Sequence, residues 1–286
     1  MYKPIVIVTG ASSGFGLLSS IEFLKKGAFV VATMRDLQKK EQILRKLNTP
    51  ALEENLLFCQ LDVTDADSLY VFQSTLQNLG RVDILLNNAG FATGGFAEEI
   101  SLVEYRAQFE TNFFGLIEVT KLVLPYMRQQ RSGKIINLSS ISGQIGFPGI
   151  SPYVASKYAL EGWSESLRLE VRPFGIDVAL IQPGSFQTNI WNSGKKIAEK
   201  STLSTSPYHE MMKKIEARLE NGQASYGDPI EVAKFIVDLA AKPTLTKLRY
   251  PVGKGTRLSI FLKNSLPWRM WENIVLRMLG IDRKRD

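Results

Sequence analysis

Tyr153 and Lys157 stand four residues apart in the segment Tyr-Val-Ala-Ser-Lys. Residues at i and i+4 share one face of a helix, so a phenol and an ammonium spaced this way enter the same pocket. A free phenol titrates near pH ~10 and is a poor proton donor or acceptor at neutral pH. A neighbouring cation favours the phenolate and draws that value toward the working range. The pair therefore predicts proton transfer at Tyr153 with Lys157 as its electrostatic partner. Any helix surface can produce the spacing by accident, so its weight depends on what else the chain carries.

At the other end of the chain, residues 4–10 read Pro-Ile-Val-Ile-Val-Thr-Gly, a continuous apolar run suited to a strand buried on both faces. It breaks into Gly10-Ala11-Ser12-Ser13-Gly14-Phe15-Gly16 and then a helical pattern through Lys26, closed by Gly27. Strand, glycine turn and helix is the order that a phosphate-binding loop requires. Glycines let the backbone turn tightly and approach a pyrophosphate, and the helix N-terminus offers free N–H groups and the positive end of its dipole. The alternative is a tight turn with no ligand.

The two ends combine into a recognisable set. Thr9 to Gly16 resembles the cofactor loop of the short-chain dehydrogenase/reductase family, with Gly10, Ser12, Ser13, Gly14, Phe15 and Gly16 as its cofactor-binding residues. Asn87-Asn88-Ala89-Gly90 resembles the family's Asn-Asn-Ala-Gly motif, and Asn112 its helix asparagine. Ser140 precedes Tyr153 by the family's serine-to-tyrosine spacing. Asp62-Val63 resembles the adenine-contacting pair, and Pro183-Gly184 with Thr188 the segment beside the nicotinamide. The resemblance covers nearly all of residues 3–240 and is nearest to the hydroxysteroid and retinol dehydrogenase branch.

It implies an enzyme that moves a hydride between nicotinamide and an alcohol–carbonyl pair. Tyr153 would be the general acid/base, and Lys157 would lower its pKa and hold the nicotinamide ribose. Ser140 would bond the substrate oxygen, and Asn112 would hold a water linking Lys157 to solvent. Asn88, Ala89, Gly90, Tyr153 and Lys157 would also contact the cofactor. A catalytically idle dinucleotide-binding regulator, or a membrane-recruited binding protein, is the alternative; Asn112, Ser140, Tyr153 and Lys157 are all present, which favours the enzyme.

Cofactor choice turns on the end of the second strand, where family members specific for NAD place an acid. Here Thr33-Met34-Arg35 comes first and Asp36 only afterwards. The planar fork of Arg35 can neutralise an adenosine 2′-phosphate, and Asp36 can cap the helix that follows. The reading favours NADP(H), with NAD(H) as the alternative.

Alternating runs predict an α/β fold: one doubly wound parallel sheet with helices on both faces. Strands are expected at 5–8, 29–34, 56–63, 82–87, 134–139, 176–182 and 249–252. Helices are expected at 14–26, 36–47, 66–79, 101–130, 152–172 and 228–241. With no repeat or linker in view, residues 1–286 are expected to form one domain. The stretch 185–227 is expected to be a substrate lid carrying a short helix at 208–219. Phe91, Phe96, Ile145, Phe147, Phe186 and Trp191 fall in segments that should face the cleft, implying a lipophilic substrate.

A lone cysteine, Cys59, excludes an internal disulfide and reads as a small buried apolar residue. One histidine, His209, gives no zinc constellation with it, so no metal is expected. The apolar strand begins directly after Met-Tyr-Lys-Pro, and no apolar run reaches the roughly 20 residues that span a bilayer. These features predict a cytoplasmic protein, and the resemblance implies a homo-oligomer.

The chain carries +7, yet residues 242–286 alone hold eleven Lys or Arg against three acids. This extension, from about residue 254, includes an apolar helical stripe at Trp268, Trp271, Val275, Met278 and Leu279. Docking of that stripe on protein is the favoured expectation, ahead of peripheral membrane contact. Nucleic acid is not expected, because no groove-reading motif accompanies the charge.

Overall fold

The computed structural model describes residues 3–47, 49–188 and 195–280; Trp191 lies outside them. The first half alternates strand and helix: β1 (Ile5–Val8), α1 (Gly14–Lys25), β2 (Phe29–Met34), α2 (Glu41–Leu47), a short α3 (Pro50–Glu53), β3 (Leu56–Gln60), α4 (Ala66–Leu79) and β4 (Ile84–Asn87). A three-residue strand, β5 (Ala92–Gly94), precedes α5 (Leu102–Phe109), α6 (Gly115–Gln130), β6 (Gly133–Leu138), α7 (Ser151–Val171) and β7 (Ile176–Pro183). Then follow β8 (Lys195–Ile197), α8 (His209–Gly222), α9 (Pro229–Ala240), β9 (Arg249–Val252), α10 (Thr256–Ser265) and α11 (Trp268–Met278).

Seven strands form one parallel sheet in the order β3-β2-β1-β4-β6-β7-β9. Side chains alternate across it, as the period of a strand requires. Val6 and Val8 of β1 enter one core with Leu17, Ile21 and Leu24 of α1 and Val232 and Ile236 of α9. Ile7 enters the other, with Phe72 and Leu76 of α4, Val119 and Val123 of α6 and Leu167 of α7. Both faces are thus covered, which is why these strands read as unbroken apolar runs. The fold is the expected doubly wound α/β sheet, and Cys59 is buried as expected, its thiol pKa raised by that burial.

Several expected boundaries shift for local reasons. β3 stops at Gln60, because the Asp62 carboxylate accepts bonds from the Thr64 N–H (2.9 Å) and hydroxyl (2.8 Å) and turns the chain. β4 starts at Ile84, because the Gln130 side chain takes both the N–H (2.8 Å) and the C=O (2.9 Å) of Val82. The helix expected over 36–47 begins with a tight turn at Leu37–Lys40, whose N-cap is Asp36 (carboxylate to Gln38 N–H, 2.9 Å). The single helix expected over 101–130 is interrupted by a π-helical turn, Glu110–Phe114, with Asn112 at its middle. Such turns insert one residue into a helix and re-aim a side chain, often at functional sites.

The excursion after β7 is tied to the loop after β4. β8 pairs in parallel with β5. The Phe96 and Tyr208 rings stack at 4.3 Å, and the hydroxyls of Ser201 and Ser206 both donate to Glu99. The helix expected at 208–219 is α8.

Candidate active site

The glycine loop is shaped by what a side chain would strike. Gly10 adopts φ +66°, the left-handed region that favours glycine, and a Cβ there would lie 2.8 Å from Ala89 Cα. A Cβ on Gly16 would lie 2.3 Å from Asn88 Nδ2 and 2.5 Å from the Gly10 oxygen. Asn88 Nδ2 instead donates to the oxygens of Thr9 (2.8 Å) and Gly10 (3.0 Å), lacing the end of β4 to the turn after β1. Thr9 Oγ1 accepts from the N–H groups of Asn88 (2.9 Å) and Ala89 (3.0 Å).

At the start of α1, Ser13 is the N-cap but makes no side-chain capping bond, and the first turn holds no acid. The helix therefore presents unpaired N–H groups and its positive dipole end to the cleft, the arrangement a pyrophosphate needs. The residues present fit a dinucleotide on this observation.

One cleft of about 910 Å³ runs along the carboxyl ends of the strands, where ligands of doubly wound sheets bind. It gathers almost every expected site residue: Gly10, Ser12, Ser13, Gly14 and Phe15 from the loop, Arg35 from the end of β2, and Asp62 and Val63 from beyond β3. Asn88, Ala89 and Gly90 follow β4; Asn112, Ser140, Tyr153 and Lys157 form the floor; Pro183, Gly184 and Thr188 close the far side. Gly16 is the exception, since it sits behind the loop against Asn88.

Of the aromatic and apolar residues expected to face the cleft, Phe91 and Phe186 line it. Phe96 and Ile145 belong to the interior instead. Lys39 and Lys196 also reach the cleft and were not foreseen, because nothing local in the sequence marks them. Lys196 stands over the Phe91 ring at 4.9 Å.

Tyr153 and Lys157 sit on the first two turns of α7, both buried, with the Lys157 Nζ 5.6 Å from the Tyr153 ring centroid. Lys157 Nζ donates to the Leu138 carbonyl (2.7 Å). Burial pushes the Tyr153 phenol up to about 12, opposed by its hydrogen bond with Ser140. Burial also brings the Lys157 ammonium down to about 8, with the Glu161 carboxylate pulling the other way. The sequence led us to expect a phenol lowered by its lysine; desolvation outweighs that effect here.

Ser140 caps a short turn through its Oγ, which accepts from the Ser142 N–H (3.1 Å). Asn112 accepts from the Phe91 N–H (3.1 Å) and donates to the Phe91 C=O (3.0 Å), clamping the loop after β4.

Glu161 was also missed, although it continues the spacing of Tyr153 and Lys157 by one more helical turn. It is buried and accepts from Ser139 Oγ (2.5 Å), Gln182 Nε2 (3.0 Å), Gln144 Nε2 (3.2 Å) and Arg249 Nε (2.8 Å). Arg249 also bonds Glu165 (2.6 Å). Four donors satisfy this carboxylate, which keeps a buried negative charge one turn below Lys157.

A parallel sheet with an uncapped helix start facing a cleft, and a buried serine, tyrosine and lysine at its floor, defines a dinucleotide-dependent oxidoreductase. Residues 4–198 match the short chain dehydrogenase family model, and the chain belongs to that family. It is similar to the uncharacterized oxidoreductase YusZ of Bacillus subtilis, 47% identical over 98% of this chain and 99% of the relative. It is 41% identical to a 3-ketodihydrosphingosine reductase of Bacteroides thetaiotaomicron (70% of each chain). It is also 41% identical to human retinol dehydrogenase 8, over 68% of this chain and 62% of that one.

Among solved structures, a short-chain dehydrogenase of Streptomyces avermitilis superposes with a TM-score of 0.81 at 33% identity over all of both chains. ElxO with NADP bound superposes at 0.73 and 28% identity, over 90% of this chain and all of that one. The chain is thus an oxidoreductase of the alcohol–carbonyl type, in a family that uses NAD(P).

Proposed function

We propose that this enzyme reduces a lipophilic ketone or aldehyde with NADPH, using Tyr153 as the proton donor. The observation that carries the proposal is the polarity of this cleft. One end holds the exposed cations Arg35 and Lys39; the other holds the buried Tyr153, Ser140 and Lys157 beside Phe91 and Phe186. Asp36, the one acid that could bind a ribose at the end of β2, is engaged with the backbone of Gln38. That leaves Arg35 and Lys39 to meet an adenosine 2′-phosphate. The names of two relatives, a 3-ketodihydrosphingosine reductase and a retinol dehydrogenase, accord with an apolar substrate.

Bound NADPH would supply the hydride. The Ser140 hydroxyl orients the substrate oxygen and is already hydrogen-bonded to Tyr153. With its pKa near 12, Tyr153 is a neutral phenol at neutral pH and holds the proton that a reduced carbonyl oxygen must receive. Lys157 remains charged below about pH 8 and stabilises the phenolate left behind. Asn112 clamps the backbone of the loop after β4 and would help to hold a water that links Lys157 to solvent. Residues 195–227 of the excursion, laced to Phe96 and Glu99, would form the lid.

Activity that needs the Lys157 ammonium is lost as pH rises through the lysine's pKa. The kcat/KM for ketone reduction should therefore fall above about pH 8. An unperturbed lysine would place that limb near pH ~10.4. A pH–rate profile flat through about pH 10 would contradict the assignment of Lys157.

Binding is tested by the rise in NADPH fluorescence on mixing, and substrate class by turnover with ketones and aldehydes of increasing chain length. The reading requires kcat/KM to increase with apolar chain length; a preference for short polar carbonyls would overturn it.

A further inference from the structure

The C-terminal helices leave more large apolar side chains in water than any stretch of comparable length among the described residues. On α11 the apolar residues cover about half the circumference at roughly 100° per residue. The edge formed by Trp271, Val275 and Leu279 turns inward, with Trp271 only 8% exposed. The other edge, Met270, Ile274 and Met278 at successive turns, is exposed, and Trp268 is 67% exposed at the start of the helix. Leu258 and Phe261, one turn apart on α10, are exposed as well. The stripe expected to be dry is therefore dry along one edge only.

The surrounding charge has one sign. Lys254, Arg257, Lys263, Arg269 and Arg277 face a single acid, Glu272, over residues 254–280. On α11, Arg277 borders the exposed edge, next to Met270 on the helix circumference, while Arg269 is exposed on the polar face. The module is fastened to the body. Lys214 Nζ and Arg218 Nη1 of α8 each donate, at 2.5 Å, to the carbonyls of Gly280 and Met278 at the end of α11. Cations on terminal carbonyls complement the helix dipole. The exposed edge is thus held by the same helix that belongs to the excursion over the cleft.

We infer that α10 and α11 form a docking surface for an anionic phospholipid bilayer, on which the enzyme lies without crossing it. No helix among the described residues is long and apolar enough to span a membrane. An apolar edge bordered by Arg277 on a basic helix, with an exposed tryptophan at the helix start, matches the acyl boundary beneath anionic headgroups. A second copy is the weaker occupant, because a two-fold contact would set this basic rim against itself. The inference does not depend on the substrate reading, since its test measures binding without turnover.

The test is flotation of full-length protein with phosphatidylcholine vesicles, with and without phosphatidylglycerol. Binding is expected only to the anionic vesicles at low salt, weakening as salt screens the arginines, with a blue shift of tryptophan emission. Arg277→Gln should bind roughly fivefold more weakly, the loss of one near-surface cation. Met270→Ser with Ile274→Ser and Met278→Ser should abolish the blue shift while leaving NADPH fluorescence and circular dichroism unchanged, since these positions are exposed. Failure to bind anionic vesicles at low salt, or equal binding by the triple variant, would overturn the proposal. So would a protein that is dimeric in wild type and monomeric in the triple variant, which would assign the edge to a second copy.

Discussion

Tyr153→Phe is expected to lower turnover by about 10²–10⁴-fold, the usual contribution of a general acid, with NADPH affinity nearly unchanged. The ring stays buried and its packing is kept; only the hydroxyl that would carry the proton, and that bonds Ser140, is removed. Two measurements separate this outcome from simple misfolding. NADPH fluorescence titration should superpose on wild type, and the thermal transition should move little. Turnover like that of wild type would remove Tyr153 from the reaction.

Arg35→Ala is the second large effect. A charge-assisted hydrogen bond contributes about 1.5–3 kcal/mol, or roughly 10- to 150-fold in affinity, and NADH lacks the phosphate that would receive it. The guanidinium is exposed at the cleft rim, so water and salt moderate the single substitution toward the lower end. Lys39 remains on the same rim and can still meet a 2′-phosphate, so replacing both should approach the upper end. Parallel titrations with NADPH and NADH read the difference directly. Equal losses for the two, or a wild type that prefers NADH, would contradict the role given to Arg35.

What the sequence made legible follows from where the physics is local. The central strands of the main sheet announce themselves because they are buried on both faces, whereas the edge strands β3 and β9 are only partly buried. The loop at Gly10–Gly16 and the Tyr153–Lys157 spacing are likewise short-range patterns. β5 and β8 did not show, since three-residue strands about a hundred positions apart pair only when the excursion folds back. The π turn at Glu110–Phe114 keeps the composition of a helix, so nothing along the chain separates it from the helices on either side. Glu161 was visible in principle as the next residue on the face of Tyr153 and Lys157. What could not be read was its burial among Ser139, Gln144, Gln182 and Arg249, which come from three other segments. The same limit explains the phenol: the sequence shows which cation is near Tyr153 but not how little water is, and the water decides the sign of the shift.

The proposed transfer of a hydride from NADPH to a lipophilic carbonyl can be followed atom by atom. It is tested most directly by incubating the enzyme with NADPH deuterated at the transferred position of C4 and a long-chain ketone. The expected product is an alcohol carrying deuterium on its carbinol carbon, formed by wild type and lost in Tyr153→Phe. NADPH bound tightly with no deuterium transferred to any apolar ketone or aldehyde would contradict it, and would mark the chain as a binding protein instead.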